Sequence, residues 1–171
     1  MAEAAAVPGA MTAISATIEE VRAAVAAIGA DVTVANHNAP KQVVVSGTTE
    51  AISALEAGLD AHGLRGKRLP VATGFHSPIV APASVPLRSY LDEVEVGTPI
   101  LPTWSNASAS PYASAAEAVR TDLAAQVAEP VRFVELIEGM YDAGVRTFLE
   151  LSLIHISSPR DRQKSRMPSS A

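Results

Sequence analysis

Hydrophobic positions change period several times along the chain, and each change marks an element. Residues 9–15, Gly-Ala-Met-Thr-Ala-Ile-Ser, alternate as a short strand does. From Ile18 the period lengthens: Ile18, Val21, Val25 and Ile28 fall at i, i+3, i+7 and i+10, one stripe of a helix. Thr17 stands where a cap belongs. Glu19 and Glu20 occupy the first turn, where the helix dipole favours acids, and Gly29 ends the helix. Residues 32–36 and 42–46 return to strand composition around the turn Asn38-Ala-Pro-Lys41, which predicts a hairpin. The pattern then repeats. Thr48 or Thr49 caps a second helix, Ile52, Leu55 and Leu59 share its face ahead of Gly63, and residues 67–72 read as a fourth strand.

The order β-α-β-β-α-β is the ferredoxin-like arrangement, four antiparallel strands with two helices on one face. Such a fold does not specify an activity. Beyond it, Pro78, Pro82 and Pro86 interrupt the start of a helix that settles over 87–94. A strand over 99–104, a Ser/Asn/Pro-rich loop over 105–113 and helices over 114–127 and 131–143 follow, the helices separated by Glu129-Pro130. Gly144 closes the last helix and 145–150 reads as a strand. This second stretch resembles the latter half of an α/β sheet. Without the sheet's other strands, its helices should expose apolar residues such as Val131, Val134, Ile137 and Met140.

Composition narrows the function. At 171 residues and 48% hydrophobic the chain has enough material for one domain or two small lobes, and with 4% aromatics its core must be built from small aliphatics. A net charge of −5 argues against nucleic acid or an anionic membrane surface as partner. Nothing in it reaches the roughly 18 consecutive apolar residues of a membrane span, nor does it open like a signal peptide. The absence of cysteine removes disulfides, thiolate metal sites and a cysteine nucleophile, and fits a cytoplasmic location.

Four histidines carry the remaining chemistry. His155 lies near the C-terminus, His62 sits at a helix end where a cation suits the dipole, and His37 lies in the hairpin stretch A-N-H-N-A-P as a solvated turn residue. His76 differs. It follows the end of a predicted strand, in A-T-G-F-H-S-P, behind a glycine and ahead of Ser-Pro, where loops commonly present catalytic groups. It reads as a general base, yet the sequence contains no G-x-S-x-G elbow to supply its nucleophile. Metal-ligand spacings, a P-loop and G-x-G-x-x-G are also absent.

Five strings in order carry a resemblance: P-G-A-M-T-A-I, A-N-H-N-A-P-K-Q-V-V-V-S-G, F-H-S-P, Q-V-A-E-P-V-R-F-V-E and G-V-R-T-F-L-E. Together they span about residues 8–150. They resemble the malonyl-CoA:acyl carrier protein transacylase family, and more closely the acyltransferase domains of type I polyketide synthases and polyunsaturated fatty acid synthases. The resemblance implies an α/β protein: a ferredoxin-like small subdomain at 8–72, inserted in an α/β-hydrolase-like large subdomain whose C-terminal part is 73–150. It also implies that the nucleophilic serine, in a G-H-S-x-G elbow, and the arginine that pairs with the extender carboxylate lie upstream of this chain.

On that resemblance His76 is the catalytic base, oriented by the main-chain carbonyl of Gln126. Acyl-CoA acylates the serine, and the phosphopantetheine thiol of an acyl carrier protein then takes the acyl group. Phe75, directly before the histidine, implies malonyl-CoA ahead of methylmalonyl-CoA, although Thr73-Gly74 stands where malonyl-type members often have His-Ala. Asn36 and Asn38 either line the cleft between subdomains or cap the hairpin. No cofactor or metal is implied beyond the acyl-CoA substrate and the carrier's phosphopantetheine, and the rest of a multidomain synthase is an expected partner. Lacking the serine, the chain alone should be inactive.

A non-catalytic ferredoxin-like module that binds a ligand or partner is the competing reading, with His76 as an ordinary loop residue. The end of the chain stands apart from both. Four of the 13 basic residues and one of the 18 acids fall after Leu151, so the first 150 residues are more acidic than the whole. L-S-L-I-H-I-S and S-R-M-P-S-S-A resemble translated sequencing adaptors. Residues 151–171 are therefore expected to be a non-native, disordered tail.

Overall fold

The computed structural model describes residues 8–149; the expected tail at 151–171 lies outside them. Strand β1 (Gly9–Ile14) is central, pairing antiparallel with β3 (Gln42–Thr48) on one side and β4 (Gly66–Arg68) on the other. Strand β2 (Val32–Ala39) pairs with β3, so the sheet order is β2-β3-β1-β4. With helices α1 (Ile18–Ile28) and α2 (Thr49–Leu59) in the crossovers, this is the ferredoxin-like topology that the alternation of periods predicts.

The strand period sorts residues between the two faces. Ala10, Ile14, Val43 and Val45 join Ile18, Val21, Ile52, Leu55 and Leu59 in the larger core, while Met11, Ala35 and Val44 pack with Ala13, Leu69 and Val71 on the opposite face. Ile52 and Leu55 are fully buried, each contributing about 1.5–3 kcal/mol of transfer free energy. Thr17 caps α1 as expected, and in a reciprocal box: its hydroxyl accepts from the Glu20 N–H, and the Glu20 carboxylate accepts from the Thr17 N–H at 2.8 Å. That main-chain hydrogen bond holds the Glu20 carboxyl below its ordinary pKa. Thr48 caps α2.

Several elements depart from expectation. The β2 strand continues through the Asn-His-Asn stretch to Ala39, so Asn36, His37 and Asn38 are strand residues and Ala39 pairs directly with Gln42. The fourth strand begins one residue earlier than expected and stops at Arg68. The Leu69 N–H still reaches the Met11 carbonyl, but Pro70 has no N–H to extend the ladder.

A 3₁₀ turn, Pro78–Ala83, capped by Ser77, leads straight into α3 (Ser84–Asp92), earlier than the expected 87–94 because Pro86 falls in the first turn, where proline is tolerated. Helix α4 (Ala116–Ala125) packs on α3: Arg88 reaches Thr121 and Glu117, and Arg120 caps the end of α3 through the Leu91 and Val94 carbonyls. The expected strand at 99–104 is reduced to a two-residue hairpin of β5 (Trp104–Ser105) and β6 (Ser110–Pro111), and none forms at 145–149. A strand needs a neighbour to satisfy its backbone: β5 finds one only in β6, with the Thr103 carbonyl also accepting from the Tyr112 N–H, and no strand pairing is seen for 99–102 or 145–149 among the described residues.

Helix α5 (Phe133–Asp142) starts two residues later than expected. Val131, Val134, Ile137 and Met140 are half-buried rather than exposed. The exposed apolar residues of this region are Val85, Tyr90, Ile100, Leu101, Phe133, Tyr141, Phe148 and Leu149.

Candidate active site

The loop at 73–77 is seated on the sheet by close backbone approach. A Cβ on Gly9 would stand 2.3 Å from the Gly74 nitrogen, and one on Gly74 would stand 2.9 Å from the Ser46 hydroxyl oxygen. Both positions therefore require glycine's missing side chain. On the far side the Ser77 hydroxyl, fully buried, donates to the Gly74 carbonyl at 2.6 Å and accepts from the Ile79 N–H. The Val80 N–H closes the turn onto the Ser77 carbonyl. His76 lies between these two anchors with φ 55°, left-handed for a residue with a side chain, at a cost of about 1–3 kcal/mol. Anchoring on both sides is what sustains the strain.

The consequence is where the ring goes. His76 Nδ1 lies 3.0 Å from the main-chain carbonyl oxygen of Glu129. A carbonyl can only accept, so Nδ1 carries the hydrogen and the neutral ring keeps its lone pair on Nε2. This is the orientation a general base requires.

The resemblance assigned that carbonyl to Gln126, and here the structure corrects it. Gln126 is the C-cap of α4: its N–H bonds to the Asp122 carbonyl, and its side chain accepts from the Tyr112 hydroxyl at 3.2 Å. Ala128 and Glu129 still fold back on the Ala125 carbonyl. The chain leaves this turn at Glu129, next to Pro130, and the Glu129 carbonyl is the one that reaches the imidazole.

Phe75 precedes His76 and is 41% exposed, unusual for so large an apolar residue. Asn36 is a half-buried residue of β2, paired with Val44 and bridged in parallel to Val131, so it does not cap the hairpin. His37 is not a solvated turn residue either. Its side chain is 11% exposed, and Nδ1 lies 3.3 Å from the Glu135 carboxylate. His62 is exposed in the turn after α2, where it ends a 3₁₀ segment. A surface hollow lined by Glu56, Leu59, Asp60, Arg65, Gly66 and Arg68 shares no residue with the His76 loop and is crossed by the Glu56–Arg68 ion pair. It is not the site.

The acyl transferase domain family matches residues 1–156. The chain belongs to that acyl transferase family. Malonyl CoA-acyl carrier protein transacylase of Bacillus subtilis is 35% identical over 121 residues, covering 70% of this chain and 38% of that one. The acyl-carrier-protein S-malonyltransferase of Burkholderia pseudomallei superposes with a TM-score of 0.76 at 36% identity, over 81% of this chain and 46% of that one. A type II polyketide synthase malonyl-transacylase, solved in complex with its acyl-carrier protein, superposes at 0.74 with 32% identity, again over 81% and 46%. The acyl transferase chain thus spans less than half the length of each of these relatives.

Among sequence motifs, F-H-S-P singled out His76, but nothing local marked Glu129 or the His37–Glu135 pair. A main-chain acceptor has no side-chain signature, and partners 53 and 98 residues apart leave no periodicity to read. No group of three or more His, Asp or Glu is arranged to hold a metal among the described residues.

Proposed function

We propose that this chain forms part of an acyltransferase that moves a malonyl unit from coenzyme A to the phosphopantetheine thiol of an acyl carrier protein, with His76 as general base. The observation that carries the reading is the 3.0 Å contact of His76 Nδ1 with the Glu129 carbonyl, which leaves Nε2 as acceptor. Residues 8–72 serve as the small subdomain and 73–150 as the C-terminal part of the α/β-hydrolase-like large subdomain. The serine is contributed by polypeptide outside these 171 residues, consistent with the length of the relatives and with the absence of a G-x-S-x-G elbow.

In the first half-reaction Nε2 takes the serine proton as Oγ attacks the thioester carbonyl. The C–S bond then breaks, and the imidazolium returns the proton to the coenzyme A sulfur. In the second half the carrier thiol gives its proton to Nε2, sulfur attacks the acyl-serine ester, and the proton passes to the departing serine oxygen. We assign the exposed Phe75 beside the base to crowding an α-methyl group, which favours malonyl over methylmalonyl, and Asn36, bridged to Val131, to a second contact with the substrate. The likeness to a transacylase solved with its carrier protein supports the acyl carrier protein as acceptor, and relatives such as the hybrid synthetase of Aspergillus candidus support a multidomain setting.

The test uses malonyl-CoA labelled in its acyl group. This chain alone should take up no covalent label, whereas a polypeptide extended upstream to include the elbow serine should. His76→Ala in the extended polypeptide should lower transfer by about 10²–10⁴-fold. Label on the 171-residue chain, or undiminished transfer by the His76→Ala variant, would refute the assignment.

A further inference from the structure

His37 and Glu135 are 98 residues apart in sequence, and among the described residues their contact joins two main-chain hydrogen bonds in tying the segment carrying Glu129 to the sheet. Strand β2 is an edge strand, and its pairing with β3 shifts register between Val34 and Asn36 and again between His37 and Ala39. At the first irregularity the Ala35 carbonyl accepts from the Val131 N–H at 2.8 Å, and two residues on the His37 N–H donates to the Val131 carbonyl at 2.9 Å. Val131 thereby extends the sheet by a single parallel bridge. Glu135, in the first turn of α5, then meets the His37 ring and also lies 3.8 Å from Arg132. A carboxylate only accepts, so His37 Nδ1 is the donor whether the ring is neutral or charged.

We propose that His37 and Glu135 are positioning residues: their pair, with the two main-chain bonds beside it, holds residues 129–131 so that the Glu129 carbonyl receives the His76 Nδ1–H. Glu129 is exposed and follows the last turn of α4, so the clip two residues on is what fixes the direction of its carbonyl. Hydrogen bonds weaken steeply once the donor angle closes, so a small rotation of this segment releases the imidazole. Strand β2 thus sets the tautomer of His76 through the Glu129–Val131 segment. The catalytic meaning of this rests on the proposed role of His76; the clip itself does not, and the experiment reads the ring directly.

The side-chain nitrogens of His76 are followed by NMR in the full 171-residue chain, labelled at histidine and kept dilute. The wild-type ring should be the Nδ1–H tautomer. His37→Ala and Glu135→Ala should each lower the ratio of Nδ1–H to Nε2–H by about five- to tenfold, the worth of one ordinary hydrogen bond. Glu135→Gln, which keeps an acceptor oxygen, should restore most of it. Ile52→Val, a core change in α2, should lower stability and leave the ratio alone. Glu135 is one-third exposed, so its variants keep the fold even where His37→Ala does not. An unchanged ratio in folded Glu135→Ala, or an equal fall in Ile52→Val, would overturn the clip while leaving His76 as base. A wild-type ring without the Nδ1–H preference would overturn both.

Discussion

At the residue scale, His76 occupies a backbone conformation that costs free energy, and small neighbours make that tolerable. Gly9 and Gly74 let two main chains approach within a distance that no Cβ permits, and buried Ser77 holds the loop from its other end. Gly9→Ala forces β1 and the loop apart, because the atom it strikes is backbone and cannot rotate away. We expect it to cost about 1–3 kcal/mol, as overpacking does. A chemical denaturation curve checks this, and a midpoint equal to wild type would show that the loop is not seated as described. His76 itself was legible in the sequence, because Gly-Phe-His-Ser-Pro after a strand-like run is a local pattern. Its carbonyl partner was not, since the choice between Gln126 and Glu129 depends on how the chain unwinds after α4.

At the scale of elements, caps and buried stripes account for most of the sheet unit. Thr17, Glu20 and Gly29 delimit α1 where the sequence placed its ends, and Ile52, Leu55 and Leu59 form the buried face of α2. Strand ends were harder to read: Pro70 cut β4 short, while β2 outran its apparent turn because an edge strand can carry polar residues. The join between α2 and the sheet is polar. Glu56 accepts from Arg68 at 2.8 Å and from the buried Thr12 hydroxyl. Burial pushes the Glu56 carboxyl up, but the Arg68 and Thr12 hydrogen bonds and the Arg68 charge outweigh it and hold the carboxyl below its ordinary value. A carboxyl depressed in the folded state stabilises above its unfolded pKa, and that contribution is lost as pH falls through the folded one. Stability of the wild-type chain should therefore decline below about pH 4.3, the usual glutamate value. Glu56→Gln should be less stable at neutral pH and lose part of that acid dependence. Parallel stability–pH curves for the two would contradict this.

Across the whole molecule, the two halves of the chain are unequally finished. The sheet unit encloses its own core, whereas residues 73–149 bury few large side chains. They leave Ile100 99%, Leu149 82% and Leu101 74% exposed. Apolar surface of that kind associates. We expect the 171-residue chain to self-associate in gel filtration as its concentration rises, while a fragment of residues 8–72 runs as a monomer. Equal behaviour of the two would count against that contrast.

Periodicity, caps and turn residues determined the ferredoxin-like unit and its helical faces, because those signals are local and each element buries the face its own spacing creates. Tertiary structure alone decided which carbonyl meets His76, that His37 leaves solvent for Glu135, and that the expected strand at 99–104 shrinks to β5 while 145–149 forms none. Each of these outcomes depends on a partner distant in sequence, and a hydrogen bond or a sheet ladder exists only where that partner is brought within reach.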